Sequence, residues 1–583
     1  MTEKEFLKTE QYRKRLNRLE EQAFEKGDFL AALRYIQRER EIFGKDVDTN
    51  VHLADVYEAM GLHALSIKCW YKVLDNCAVE DFADVYEGLA GNYLALSDEE
   101  HAAYYYDRLM DADAMISKEY KEDIIEAFSK PKKSLFRVVY PPEQADYSKE
   151  MEEGAARLKK GDCRRAIEAL SVVPFGTKEY SSAREMQAVA YLLEGKIEEA
   201  EKISLELVEL YPEKPQPYTT LAAVYLEQGK AEECRKIAEK LCSFELKNTE
   251  EKFKVATVAC EAGLHEQAHE LLCEVEKDMP YDVKTLYFQA VSAYKCGKIE
   301  KSIRALEKLC AIYENAAVAK YYLEEIKKSV RWKDANGEGF SFLEIEENAP
   351  ALFEVDITYY YRLPEAERER RLAEFLQVSA MPKSEAKKAG KELEKRGALR
   401  WCFDELDGMD YDLQYLAIMV AEHAECDNFL REILLDNEVK EVLKIEIING
   451  LCMRNRDNEF GVVLYDVYRE IQTYKIEIGR KKRKKFLSAY ASVFSRFALL
   501  KEGLGDAIAT AAEDLYLNVS LVGEEDLFDD EKSTACAIYF CAKVGALKLP
   551  VEKVVQVFEG NEECVAKLLS IYRRFMGEED ETN

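Results

Sequence analysis

Five glycines, Gly161, Gly195, Gly229, Gly263 and Gly297, stand 34 residues apart. The text around them recurs as GDCRRAIEAL, GKIEEAEKIS, GKAEECRKIA, GLHEQAHELL and GKIEKSIRAL. A fixed period of this length marks a stack of helix–turn–helix units, none of which buries its apolar face alone. Each glycine ends a helix, where a residue without Cβ enters φ > 0 at little cost. Five positions later comes a small residue (Ala166, Ala200, Cys234, Ala268, Ser302), where two helix axes must approach closely. Gly27 and Gly61 repeat the spacing near the start. Ser97 replaces the glycine in a third unit that keeps Leu89, Ala90, Tyr93 and Ala102.

These glycines and small residues resemble the pattern of the tetratricopeptide repeat (TPR) family. The resemblance implies an all-α superhelical solenoid that binds a protein or peptide, with the first helix of each unit lining a concave face. The expected organisation is a first array of three repeats over 13–116 and a proline-containing elbow over 117–146. A second array of five repeats with a capping helix follows over 147–332, then a linker over 333–363. The elbow holds Pro131, Pro141 and Pro142, which exclude a continuous helix there, and a β-leaning run at Leu135–Tyr140. Pro212 and Pro280 stop second helices in the second array.

From Pro364 the chain reads as helical to its end without the 34-residue period. Residues 364–500 include a stretch, 410–455, that looks like HEAT-type helix pairs. Within 501–583, residues 506–575 resemble one cyclin-like repeat of the transcription factor B family: a helix ending at Leu515–Tyr516, then a small-residue helix with Ala535, Ala537 and Tyr539, then Val551–Phe558 and Glu562–Phe575. That family carries a basic segment before the small-residue helix. Here Glu524, Glu525, Asp526, Asp529, Asp530 and Glu531 stand in its place, which opposes DNA contact.

A net charge of −30 argues against broad binding to nucleic acid or anionic membranes. The N-terminal stretch has no apolar core of the signal-peptide kind, and no apolar run approaches a membrane span. Fifteen cysteines are scattered without a CxxC pair. Several (Cys69, Cys234, Cys260, Cys310) fall on apolar helix faces, so they read as buried thiols of a cytoplasmic protein.

Two strings carry possible chemistry. His265-Glu266-Gln267-Ala268-His269 has the spacing of a zinc-binding helix. It also lies in the repeat frame, with Ala268 at the small position, so a repeat turn is the preferred reading and no metal or cofactor is called for. The basic run Arg480, Lys481, Lys482, Arg483, Lys484, Lys485 is the one feature suggesting nucleic acid; the competing reading is the solvated start of a helix. No phosphate loop or nucleophile–base grouping is evident, so the chain reads as non-catalytic.

The TPR frame places Asn17, Glu21, Asp48, Val51, Asp55, Glu58, Asp84 and Glu87 on the first array's groove, six of them acidic. Such a face suits a basic partner. The same frame gives the second array Glu185, Val189, Thr219, Ala223, Phe253, Thr257, Tyr287, Val291 and Tyr294, a small, apolar and aromatic surface suited to an amphipathic helix or extended peptide. The family's clamp for chaperone C-termini uses Lys, Asn and Arg, of which these positions carry only Asn17, so such a clamp is not expected. The expected function is a protein–protein interaction scaffold. The alternative is a regulator whose C-terminal module contacts nucleic acid or the transcription machinery.

Overall fold

The computed structural model describes residues 10–112, 116–128, 147–329, 332–333, 344–345, 354–404, 410–501, 503–544 and 551–576. The fold is all-α, apart from two short antiparallel pairs of strands. The chain forms two compact units, residues 1–128 with 364–583, and residues 129–363.

The first unit opens with helix pairs α1 (Glu10–Glu25) and α2 (Phe29–Phe43), α3 (Val47–Ala59) and α4 (His63–Leu74), and α5 (Phe82–Ala95) and α6 (Glu99–Ala112). Asp28 caps α2 by accepting from Ala31 N at 3.1 Å, and Asp46 forms a reciprocal capping box with Thr49. Gly27 and Gly61 turn with φ of 72° and 73°, and the residues five positions on, Ala32 and Ser66, are fully buried. Ser97 adopts the same left-handed turn at φ 62°, with Ala102 buried behind it. The repeat geometry therefore survives without the glycine, at the cost of a Cβ in a crowded backbone region. An additional helix, α7 (Lys118–Phe128), packs on α6 inside the stretch read as an elbow. The β-leaning run at 135–140 lies outside the described residues.

The second unit stacks five helix pairs. They are α8 (Ser148–Lys159) and α9 (Cys163–Leu170), α10 (Tyr180–Leu193) and α11 (Ile197–Leu210), α12 (Pro215–Glu227) and α13 (Ala231–Cys242), α14 (Thr249–Glu261) and α15 (His265–Asp278), and α16 (Val283–Lys295) and α17 (Ile299–Ile312). The cap α18 (Ala317–Ser329) closes the stack, and Trp332–Lys333 pairs with Glu344–Ile345 as β1 and β2. Pro215 opens α12 at a first-turn position that has no intrahelical N–H bond to lose. Cys234 and Cys260 are buried in this core and Cys69 in that of the first unit, whereas Cys310 is half-buried.

Beyond residue 363 the first unit resumes with α19 (Glu365–Ala380), α20 (Lys383–Lys395), α21 (Tyr411–His423), α22 (Asp427–Leu435) and α23 (Glu441–Met453). Here α19, α21 and α23 pack side by side, as paired helices would. The expectation of an unbroken helical run then fails. Residues 458–473 form a hairpin of β3 (Asn458–Leu464) and β4 (Val467–Thr473), in strict antiparallel register. The run FGVVL and its partner VYREI are rich in β-branched and aromatic residues. The two-residue turn Tyr465-Asp466 has φ of 52° and 56°, both left-handed, as a tight hairpin requires. The bundle α24 (Arg483–Phe497), α25 (Leu504–Leu521), α26 (Glu531–Cys541), α27 (Val551–Phe558) and α28 (Glu562–Met576) completes the unit. Helix α25 continues past Leu515–Tyr516, where the cyclin-like resemblance places its end.

Candidate functional site

Successive first helices of the second unit pack side by side. On the N-terminal side their face is open: Val189 and Leu193 of α10 are exposed, while Glu185 and Thr219 are half-buried. Burial holds the Glu185 carboxyl above its usual range, against a hydrogen bond from Ser181 Oγ at 3.0 Å and the charges of Lys214 and Lys254. Further along, Phe253 and Thr257 are half-buried, and Thr257 returns its hydroxyl to Phe253 O.

At the C-terminal side the face is filled by residues 354–363 of the same chain. Burial alternates along this segment: Val355, Ile357 and Leu363 are buried, whereas Glu354, Asp356, Tyr360 and Arg362 are exposed. The alternation is that of an extended peptide lying on a surface, here pinched by two tight backbone turns, Ile357 N to Val355 O at 2.8 Å and Arg362 N to Tyr360 O at 2.9 Å. Tyrosine hydroxyls hold its main chain. Val355 N donates to Tyr294 Oη at 2.8 Å, and Tyr287 Oη donates to Thr358 O at 2.9 Å. Tyr322 Oη reaches Arg362 O at 3.4 Å. Tyr361 meets Tyr287 edge-on, with centroids 4.7 Å apart. Tyr359 stacks on Phe288 at 5.6 Å, and its hydroxyl lies 2.9 Å from His265 Nδ1. Burial, reinforced by the Cys260 thiol beside it, raises the Tyr359 phenol well above the usual range. Burial likewise pushes Cys260 up to about 12. Tyr287 and Val291 are closed to solvent, and Tyr294 is engaged from within the chain.

This packing separates the two histidines of the HExxH string. His265 faces Tyr359, whereas His269 is buried against Ser292 Oγ (3.4 Å) and Cys273 Sγ (3.7 Å). Burial, with Lys298 and Lys301 adding to it, lowers His269 to about 4, so it is neutral. Ala268 between them is fully buried at the helix crossing, and all five glycine turns of the unit have φ between 69° and 75°. The fold is that of a TPR solenoid. No family model matches the sequence, and no curated protein does. Similar solved structures include the TPR2AB-domain:pHSP90 complex of yeast Sti1 (13% identity, 46% of this chain and all of that one, TM-score 0.18). Human IFIT1 with PPP-AAAA is 14% identical over 91% of each chain, with a TM-score of 0.26. Yeast Tom70 is 12% identical over 98% of this chain and 97% of its own, with a TM-score of 0.23. Scores this low carry no argument, so the fold rests on the repeat geometry itself.

In the first unit, Glu21, Asp48, Asp55, Glu58, Asp84 and Glu87 are all exposed on first helices of the TPR pairs. Local desolvation raises the Asp55 carboxyl; repulsion from Glu58 and Glu20 adds to this and His52 opposes it. Glu58 accepts from Asn92 Nδ2 at 2.8 Å, and Glu87 from the Tyr120 hydroxyl at 3.0 Å. The hairpin tip sits on tyrosines of α4, α5 and α6. Asp466 O accepts from Tyr71 Oη (2.8 Å) and Tyr105 Oη (2.9 Å), and its Oδ1 from Tyr93 Oη and Asn437 Nδ2, both at 2.9 Å. Asp75 Oδ1 accepts from Gly461 N at 2.7 Å, and Lys68 pairs with Glu438 at 2.8 Å.

The basic run and the acidic stretch, singled out separately in the sequence, meet. Lys481 pairs with Glu525 at 2.8 Å, Lys482 with Asp529 at 2.5 Å and with Asp526 at 3.3 Å, and Lys485 with Asp529 at 2.9 Å. Among the described residues no group of three or more His, Cys, Asp or Glu could hold a metal ion, and no helix is long and apolar enough to cross a membrane.

Proposed function

We propose that this chain is a non-catalytic scaffold that binds extended or helical segments of partner proteins on the first-helix faces of its TPR arrays. One observation carries the reading: the second array's face already holds an extended peptide, residues 354–363, through tyrosine bonds to its main chain. A surface that grips backbone in this way is a peptide-binding surface. Glu185, Val189, Thr219, Phe253 and Thr257 form the part open to a partner beside the filled portion at Tyr287, Val291 and Tyr294. Full-length protein carrying Val189→Glu with Thr219→Glu should lose partners that the wild-type chain retains in quantitative affinity capture. Recovery of the same proteins in the same amounts refutes the reading.

For the first array the crowded carboxylates around Asp55 favour a basic partner. Asp55→Lys with Glu58→Lys should abolish its capture, and unchanged recovery excludes this face. The nucleic-acid alternative has weaker support, because the lysines it needs are paired with Glu525, Asp526 and Asp529. A gel shift at low salt with the full chain would revive it.

A further inference from the structure

The segment on the second array reveals what the face selects. Val355, Ile357 and Leu363 are buried and Tyr359 and Tyr361 half-buried, every second position, while Glu354, Asp356, Tyr360 and Arg362 are exposed and Thr358 is half-buried between them. Each inward aromatic has a dedicated contact: Tyr359 between Phe288 and His265, and Tyr361 against Tyr287. The main-chain bonds to Tyr287, Tyr294 and Tyr322 are independent of sequence and hold a non-helical backbone in place. Together these contacts define a pattern: aliphatic, any, aliphatic, any, aromatic, any, aromatic, any, aliphatic. A helical ligand could not meet it, since its inward positions recur every three or four residues rather than every two.

We propose that residues 354–363 are a resident ligand, and that the partner of this part of the face is an extended peptide with the same alternation, which binds by displacing them. This rests on the reading of the array as a peptide-binding scaffold and adds the partner's chemistry and the competition. Because the segment is tethered to its own site, it competes at an effective concentration on the order of millimolar. A partner's apparent affinity is reduced by the fraction of molecules in which the segment is seated. Weakening the seat therefore strengthens binding from outside.

The test uses the full chain and an isotope-labelled, fluorescein-tagged peptide of residues 354–363, EVDITYYYRL. The pairwise-swapped peptide VEIDYTYYLR, which turns every inward side chain but the Tyr361 equivalent outward, is the control. The tagged peptide should bind the wild-type chain, and should bind the Tyr359→Ala chain at least tenfold more tightly; the swapped peptide should bind neither. Hydrogen exchange on the wild-type chain, which needs no variant to fold, should show the chain's own residues 354–363 gaining deuterium as the labelled peptide saturates. Equal affinity for the two chains, unchanged exchange at saturation, equal binding of the swapped peptide, or no binding at all would each overturn the proposal. If Val189→Glu with Thr219→Glu abolishes partner capture while this test fails, the scaffold reading stands and the displacement falls. The reverse pair of results leaves a seated segment without a scaffold.

Discussion

Replacing Asp466 with Ala removes the side chain on which the hairpin tip of the first unit depends. Asp466 Oδ1 accepts two hydrogen bonds, from Tyr93 and from Asn437, at 2.9 Å each. A bond to a charged acceptor contributes about 1.5–3 kcal/mol. The lower end applies to Tyr93, whose hydroxyl also lies 2.7 Å from that of Tyr71, and to the half-buried Asn437. Two such bonds give about 3 kcal/mol. The main-chain carbonyl that Tyr71 and Tyr105 grip is unchanged by the substitution, so the hairpin should loosen rather than leave. Because 1.4 kcal/mol is tenfold in an equilibrium, amide exchange across residues 458–473 should accelerate roughly 100-fold. Asp466→Asn keeps an acceptor and tolerance of φ 56°, and should cost about 1 kcal/mol. Exchange in the Ala variant that rises less than fivefold, or an Asn variant as damaging as Ala, would refute the reasoning.

Three further outcomes follow from single residues. Ser97→Gly relieves a left-handed Cβ, worth about 1–2 kcal/mol, and gives back about half in unfolded-chain entropy, so thermal unfolding should show a net gain of about 0.5–1 kcal/mol. His52 Nδ1 lies 3.2 Å from Glu20 Oε2, and this carboxylate raises the imidazole above its usual value. That stabilisation is fully present below about pH 6.5 and is lost as pH rises through the raised value, so Glu20→Gln should destabilise more at pH 5.5 than at pH 8.5 in urea titrations. Burial raises Glu422 to about 7, despite Arg454, and its Oε1 is buried without a hydrogen bond. Its cost appears as pH climbs past its ordinary range and is complete above about 7, so Glu422→Gln should stabilise by at most about 3 kcal/mol at pH 8 and by little at pH 4.

The periodic part of this molecule was legible because a period fixes both the turn and the crossing. Gly229 and Cys234 announce their own geometry, and even Ser97 could be placed by its neighbours. What escaped reading was carried by pattern changes inside stretches classified by composition. Residues 354–363 lay inside the stretch read as a Gly- and acid-rich linker, and the alternation of Val355, Ile357, Tyr359, Tyr361 and Leu363 was the available signal. The hairpin lacked the Asn-Gly or Asp-Gly usual at a tight turn, so Tyr465-Asp466 gave no warning; two β-branched runs around an Asp were the trace left. The pairing of Lys482 with Asp529 spans 47 residues, a distance over which no local periodicity speaks. The groove positions came from a frame that locates the face but is silent on what already lies there.

The tyrosines that receive Asp466 have a consequence for how the protein is made. Tyr105 lies 361 residues before its partner. At synthesis rates of about 5–20 residues per second, roughly 20–70 s separate the two on the ribosome. During that interval the hydroxyls of Tyr71, Tyr93 and Tyr105 have one another but not the Asp466 acceptors, and the face that the hairpin covers is still bare. The emerging chain has to be shielded until the hairpin arrives, which makes the newborn array, rather than the finished protein, the form most exposed to aggregation and the one a chaperone would meet.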